Sequence, residues 1–282
     1  MHQRHRLEPV LRERGAKTRR KIRKHLEQLH KYLHFCRHNC RESVGNAKNK
    51  LLKFAEFETF SNCYDYRHQL KGQWHEVFGN SNPIVLELAC GKGDYALGLS
   101  QLHPEYNYIG VDVKGNRLWA GAKKALESGW KNVAFLRIEI DRLADFFDAG
   151  EVDQIWITFP DPQPRKMRKR LTSFKFLNVY RQVMTPLGRV HLKSDSLLFW
   201  ESTLDQIAQD GLRILEQVDD VYALDPLPEK LAIQTFYEKI WLLNGKTIRY
   251  VQFEIGAVKS EPLPAREEDR TEFFQDRGAR RV

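Results

Sequence analysis

The stretch IVLELACGKGD, Ile84–Asp94, decides the fold. Its first six residues form an apolar run with one acid, Glu87, set inside it, and the chain then turns through Gly91 and Gly93. Tyr95–Leu102 continues at helical spacing. A short apolar run that passes through a glycine turn into a helix is the opening βα unit of an α/β sheet. The same alternation continues downstream. YNYIGVDV (Tyr106–Val113) reads as a strand before a helix over Arg117–Glu127, and NVAFLRIE (Asn132–Glu139) as a strand before a helix near Leu143–Phe147. DQIWITF (Asp153–Phe159) precedes a helix over Thr172–Met184, and GRVHLKSD (Gly188–Asp195) is the fifth strand. Five alternations predict a mostly parallel, doubly wound sheet. LRILEQV (Leu212–Val218), a helical stretch near Phe236–Leu243 and IRYVQFEI (Ile248–Ile255) read as additions to an edge of that sheet.

Upstream the composition changes. Residues 1–44 hold 13 lysines and arginines against 4 acids, and the other 238 residues hold 33 of each. The whole net charge of +9 therefore sits in this arm. A basic arm on a neutral globule points to a polyanion, nucleic acid before anionic membrane, against the plain alternative of a solvated tail. Ile22, Leu26, Leu29 and Leu33 recur at helical spacing within Thr18–Phe35, and Gly45 and Asn46 break the pattern in a hinge over Arg41–Asn49. The expected division is a basic arm over 1–45, a catalytic domain over 46–255 and a charged tail over 256–282. His34, Cys36, His38 and Cys40 alternate at a spacing that does not converge on a helix, so no metal is expected. Four cysteines make no disulfide framework in a chain of 282 residues. With no secretory leader and no apolar run of membrane-spanning length, the expected location is the cytoplasm. One chain gives no reading of oligomeric state.

Ligands of open α/β sheets bind beyond the C-terminal ends of the strands. The five strands bring Glu87, Asp112, Glu139, Asp161 and Asp195 to that rim. A lone acid there is usually a solvated turn residue, whereas five in register point to a site. The turn Gly91-Lys92-Gly93 lets backbone approach a ligand, but it is neither GxGxxG nor GxxxxGK[ST]. That excludes a P-loop and makes a poor dinucleotide fingerprint. Asp112, 19 residues past Gly93, is placed to accept ribose hydroxyls, and Glu139 to receive an adenine amino group. Glu87 beside the turn would repel a pyrophosphate and favour a cationic ligand. Adenosine with a cationic tail describes S-adenosylmethionine.

The fourth strand runs into FPDPQPRKMRKR, Phe159–Arg170. Both Phe159 and Asp161 precede proline, which predicts extended backbone at each and a fixed placement for the Asp161 carboxylate. The five cations of Arg165–Arg170 suit the phosphates of a nucleic acid.

ELACGKGD, GVDVKGNR, TFPDPQPRKMRKR, KSD and TFYE, in this order, resemble the tRNA (guanine-N7)-methyltransferases over about Asn46–Ile255. KNKLLKFAEFE (Lys48–Glu58) is similar to the family's segment near the substrate. The resemblance implies a Rossmann-like class I methyltransferase fold, with a seven-stranded, mostly parallel sheet and helices on both faces. It implies transfer of a methyl group from S-adenosylmethionine to N7 of a guanosine in the tRNA variable loop. Glu87, Gly91, Gly93, Asp112, Glu139 and Asp161 are then expected at the cofactor. Asp161 is the expected catalytic residue. Arg165 or Lys166, Asp195, Thr235, Phe236, Tyr237 and Glu238 are expected on the substrate side. The chain departs from the family where Ala89 replaces a common glycine, Gln163 a common tryptophan and Arg165 a common lysine. Methyl transfer to another nucleobase or an amine, and RNA binding without catalysis, are the alternatives.

Overall fold

The computed structural model describes residues 47–256. The basic arm, its helix, the His34–Cys40 alternation and the charged tail beyond Gly256 lie outside the described residues. The chain divides into two units, residues 1–52 and 53–282, and the sheet belongs to the second.

The first described helix, α1, is Ala47–Phe57, starting one residue past Asn46. Then follow β1 (Cys63–Asp65), α2 (Trp74–Phe78), β2 (Ile84–Leu88), α3 (Asp94–Leu102), β3 (Asn107–Val111), α4 (Gly115–Glu127) and β4 (Val133–Arg137). After the short α5 (Leu143–Phe146) come β5 (Val152–Thr158), α6 (Phe174–Arg181), β6 (Met184–Ser194), α7 (Leu197–Asp210) and β7 (Ile214–Val218). The chain closes with α8 (Glu229–Ala232), α9 (Phe236–Leu243) and β8 (Arg249–Glu254). The sheet has eight strands in the order β1-β4-β3-β2-β5-β6-β8-β7. Strands β1 to β6 pair in parallel, while β8 is antiparallel to both β6 and β7. The expected edge additions are thus β7 and β8.

The central strands are near-continuous apolar runs because both faces of a parallel sheet are covered. Along β2 the period of two sorts residues between the faces. Ile84, Leu86 and Leu88 join one core with Trp74, Phe146, Leu177 and Phe199, under α2, α5, α6 and α7. Val85 joins the other with Tyr95, Leu118, Ala122 and Leu231, under α3, α4 and α8. Glu87 falls on this second face by the same alternation.

Three sequence expectations change. The sheet has an eighth strand, because β1 is three residues long and too short to show any pattern; its partners Phe135–Arg137 make it a strand. The helix expected to run to Met184 stops at Arg181, and Met184 opens β6. Helix α7 went unread because its buried face carries Thr203, Gln206 and Asp210 among its apolar residues. Each finds a tertiary partner. The Thr172 and Thr203 hydroxyls lie 2.6 Å apart, Phe174 N donates to Gln206 Oε1 at 3.1 Å, and Arg181 donates to Asp210 at 2.8 Å.

Phe135 of β4, fully buried, lies under the glycine turn. A Cβ on Gly93 would meet its ring at 2.6 Å, and one on Gly110 at 3.0 Å. A Cβ on Gly121 of α4 would sit 2.1 Å from the Lys92 carbonyl oxygen and 2.7 Å from the Phe135 ring. Helix α4 can approach the turn only because residue 121 has no side chain. Gly121→Ala is therefore expected to cost about 1–3 kcal/mol of stability by overpacking. Urea denaturation reads this, and an unchanged midpoint would show that the turn has room to move.

Candidate active site

Strand order reverses between β2, whose chain continues to β3, and β5 on its other side. In open sheets this switch point holds the ligand crevice. Residues Leu88, Val111, Leu136 and Ile157 stand in register along it, with Thr158 opposite Lys193. The rim acids all lie at this end of the sheet.

Glu87 is 2 % exposed. Its Oε2 accepts from Ala96 N in the first turn of α3 at 2.7 Å, and Thr158 Oγ1 donates to Oε1 across the switch point at 3.4 Å. Burial pushes its carboxyl up to about 8, the helix amide opposes this, and the nearby Asp94 charge adds to it. These donors hold the carboxyl in place, and a cation nearby would favour its ionised form.

Asp112, one residue past β3, ties two turns together. Gly91 N donates to Oδ2 at 3.0 Å and Lys114 N to Oδ1 at 2.9 Å. Gly91 and Gly93 both have left-handed φ, and a Cβ on Gly91 would meet nothing within 4 Å. Ala89 also has φ +53, a conformation that glycine adopts without strain. Glu139 is exposed and stands at the start of a 3₁₀ turn, Ile140–Arg142. Nearby, the Arg137 guanidinium lies 4.3 Å from the Phe54 ring centroid, and its Nε donates to Val113 O.

Asp161 lies three residues past β5 and is exposed. Gln163 N donates to its Oδ1 at 3.1 Å, closing a turn in which Gln163 takes φ +47. Extended backbone was expected at Phe159, and the structure corrects this: its φ is +49. Its N–H donates to Lys193 O at 2.9 Å and its ring packs on the second core, so long-range contacts override the proline's local restriction. The cationic strip also divides. Arg165, Lys166, Arg168 and Lys169 are exposed, but Arg170 is 1 % exposed and its Nε donates to Pro162 O. Arg170 shapes the loop from inside. Asp195 is half-buried one residue past β6.

The TFYE segment splits in the same way. Thr235 caps α9, and its side chain and that of Glu238 form a capping box. Glu238 is fully buried, whereas Phe236 and Tyr237 are exposed and edge-to-face at 5.6 Å. Glu238 was expected to face the substrate; the structure places its carboxylate in the interior against Lys193. Phe236 N donates to Asp94 Oδ2 at 3.3 Å, and Lys92 Nζ lies 5.6 Å from the Phe236 ring centroid. Asp94 thereby joins the glycine turn to a segment 142 residues away. Sequence reading did not mark Asp94 as a site residue, although it closes the quoted motif; the only signal was its place at the helix start. Among the described residues no cluster of His, Cys, Asp and Glu is arranged to hold a metal ion, and no helix is long and apolar enough to cross a membrane.

Because Glu87 titrates near 8 in the fold and near 4.5 unfolded, the folded carboxyl binds its proton more tightly. Its contribution to stability is full below about pH 4.5 and is lost as pH rises towards about 8. Glu87→Gln should therefore gain on the wild type by up to about 1.4 kcal/mol per pH unit across that window. Paired denaturant titrations at several pH values check this, and a constant difference between the two proteins would refute it.

A family model described as a putative methyltransferase matches residues 81–251. The chain is 44% identical to the tRNA (guanine-N(7)-)-methyltransferase of Bacteroides thetaiotaomicron, over 74% of this chain and 86% of that protein. It is 49% identical to the enzyme of that name from Porphyromonas gingivalis, over 66% and 78% respectively. Among solved structures, the 16S rRNA methyltransferase KamB superposes with a TM-score of 0.54 over 67% of this chain and 95% of its own; at 13% identity this likeness concerns the fold alone. With a family model over most of the sheet and relatives this similar, the chain belongs to the tRNA (guanine-N7)-methyltransferase family.

Proposed function

We propose that this chain transfers the methyl group of S-adenosylmethionine to N7 of a guanosine in the variable loop of tRNA. The target follows the family. The observation in this molecule that carries the reading is the Glu87 carboxyl, buried at the switch point beside a glycine turn with open space at Gly91. A ligand with an ammonium and a sulfonium fits there. A pyrophosphate does not, because it would bring anions against a buried acid.

In this reading Glu87 and the Gly91–Gly93 turn hold the amino-acid end of the cofactor. Asp112 and Glu139 hold its adenosine. Bound there, S-adenosylmethionine supplies an electrophilic methyl group. Guanine N7 offers a lone pair and no proton, so the site needs no strong general base. Asp161 and Asp195 instead bind the base's N–H donors and stabilise the positive charge that develops on the purine. The Asx turn at Gln163 and the anchors at Phe159 and Arg170 fix Asp161, and such fixing matters because an ångström of misplacement costs about a hundredfold in rate. Arg165, Lys166, Arg168 and Lys169 face the phosphates. Phe236 and Tyr237 offer the extruded nucleoside aromatic faces. Residues 1–45 add electrostatic affinity for tRNA without chemistry. The reducing cytoplasm suits the molecule, since Cys63 and Cys90 are buried thiols with no disulfide.

Labelled donor and unmodified tRNA test the whole reading: 7-methylguanosine should appear, and label in another base or none at all would sink it. Asp161→Asn should lower turnover at least about a hundredfold while S-adenosylhomocysteine binds nearly as before. Near-normal turnover would remove Asp161 from the centre. Asp112→Ala should weaken S-adenosylhomocysteine by about 1.5–3 kcal/mol, since a ribose contact and the hold on Gly91 N are lost together. Calorimetry decides this, and unchanged binding would mean that the ribose is held elsewhere.

A further inference from the structure

Lys193 stands near the end of β6 with its side chain fully buried. Its Nζ meets three acceptors, and all three belong to one stretch of chain. They are Glu238 Oε1 at 2.5 Å, Leu231 O at 2.7 Å and Ile233 O at 3.2 Å. Glu238 is equally buried, and its remaining capacity is used nearby. Tyr222 OH donates to Oε1 at 2.8 Å, and Thr235 N donates to Oε2 at 3.3 Å. Gln234 in turn donates to Tyr222 OH. Burial pulls the Lys193 ammonium down and pushes the Glu238 carboxyl up from their ordinary values, and each charge is sustained by the other.

This pair holds the α8–α9 connection against the first turns of α3. The Tyr95 ring lies 5.4 Å from Lys193 Nζ, a Cβ on Gly98 would meet Ile233 at 2.9 Å, and Asp94 accepts from Phe236 N. The exposed Phe236–Tyr237 pair is the part of this connection that faces outward beside Lys92. Lys230 at the start of this segment is tied to Glu216 of β7 at 2.6 Å, and Leu231 is buried in the second core. The 231 and 233 carbonyls and the Glu238 carboxylate, however, meet their charged donor at Lys193, and charge-assisted hydrogen bonds are about twice as strong as neutral ones.

We infer that Lys193 is a positioning residue for the nucleic-acid substrate: through Glu238 and the 231 and 233 carbonyls it sets the Phe236–Tyr237 face beside the glycine turn. The inference rests on the proposed tRNA methylation and adds to it a residue that touches neither substrate nor cofactor. Losing Lys193 disturbs the face that receives the base, so it weakens tRNA before it weakens the nucleoside cofactor.

The test uses the full chain with Lys193→Met, Glu238→Gln and the double variant. Lys193→Met strands a buried carboxylate and is expected to melt lower. The double variant removes that charge and keeps an N3 glutamine able to complete the capping box, so it should recover most of the lost stability. Both proteins lacking Lys193 should raise the KM for unmodified tRNA by about tenfold or more, with kcat at saturation and the S-adenosylhomocysteine affinity each changed less than about threefold. Glu238→Gln leaves the buried ammonium only neutral acceptors, so it should also melt lower and should raise the KM for tRNA, by less than the two proteins lacking Lys193. A tRNA KM near wild type in the folded double variant would overturn the inference, as would a loss of S-adenosylhomocysteine affinity as large as the loss for tRNA. If the wild-type chain methylates no tRNA, the functional reading fails by itself, and amide hydrogen exchange then decides the positioning claim separately. Residues 231–238 should exchange faster in the double variant, and wild-type exchange there would overturn it.

Discussion

A carboxylate buried in the middle of a parallel sheet organises this protein. Glu87 occupies the one β2 position where the period of two turns a polar side chain towards α3, and the amide of Ala96 meets it at 2.7 Å. The start of a helix carries unsatisfied N–H groups and a partial positive charge, so it is the natural partner for such an acid. Burial outweighs these donors and raises the carboxyl pKa. The fold therefore places a buried acid, whose ionised form a cation would stabilise, at the switch point where α/β sheets receive ligands.

Other polar groups extend that point into a continuous rim. Asp112 fastens the glycine turn to the end of β3, Asp94 fastens it to the start of α9, and Lys193 fastens the α8–α9 connection to β6. Each tie joins separate segments of the chain through at least one charged side chain. Loops bound this way can hold strained backbone. Ala89, Phe159 and Gln163 all take left-handed φ at the rim, where an L side chain costs roughly 1–2 kcal/mol. Non-glycine residues stay in that region only where the surroundings over-determine them, and such places concentrate at sites of chemistry.

The apolar faces do simpler work. Two cores, one under α2, α5, α6 and α7 and one under α3, α4 and α8, clamp the sheet from both sides and leave its C-terminal edge to the polar residues. Phe135 shows how closely packing and site are joined. Its ring fills the space that glycines at 93, 110 and 121 leave, so the turn's shape is set from beneath by a core residue.

The order of strands and helices was legible in the sequence, because apolar runs of five to seven residues separated by helical periods have few other solutions. So were the acids at the strand ends and the glycine turn, which announce themselves by position relative to those runs. What the sequence alone could not decide was which polar residues face inward. Glu238 and Arg170 read as substrate groups from their motifs, yet both are buried and hold loops in place. Thr203, Gln206 and Asp210 hid α7 because their partners, Thr172, Phe174 and Arg181, lie on another element. Phe159 departs from the extended backbone expected before a proline because a carbonyl on β6 holds its N–H. Strand β1 exists only through its pairing with β4. In each case a local preference worth about a kilocalorie gives way to a tertiary contact of equal or greater strength, and that contact is fixed only when distant segments meet.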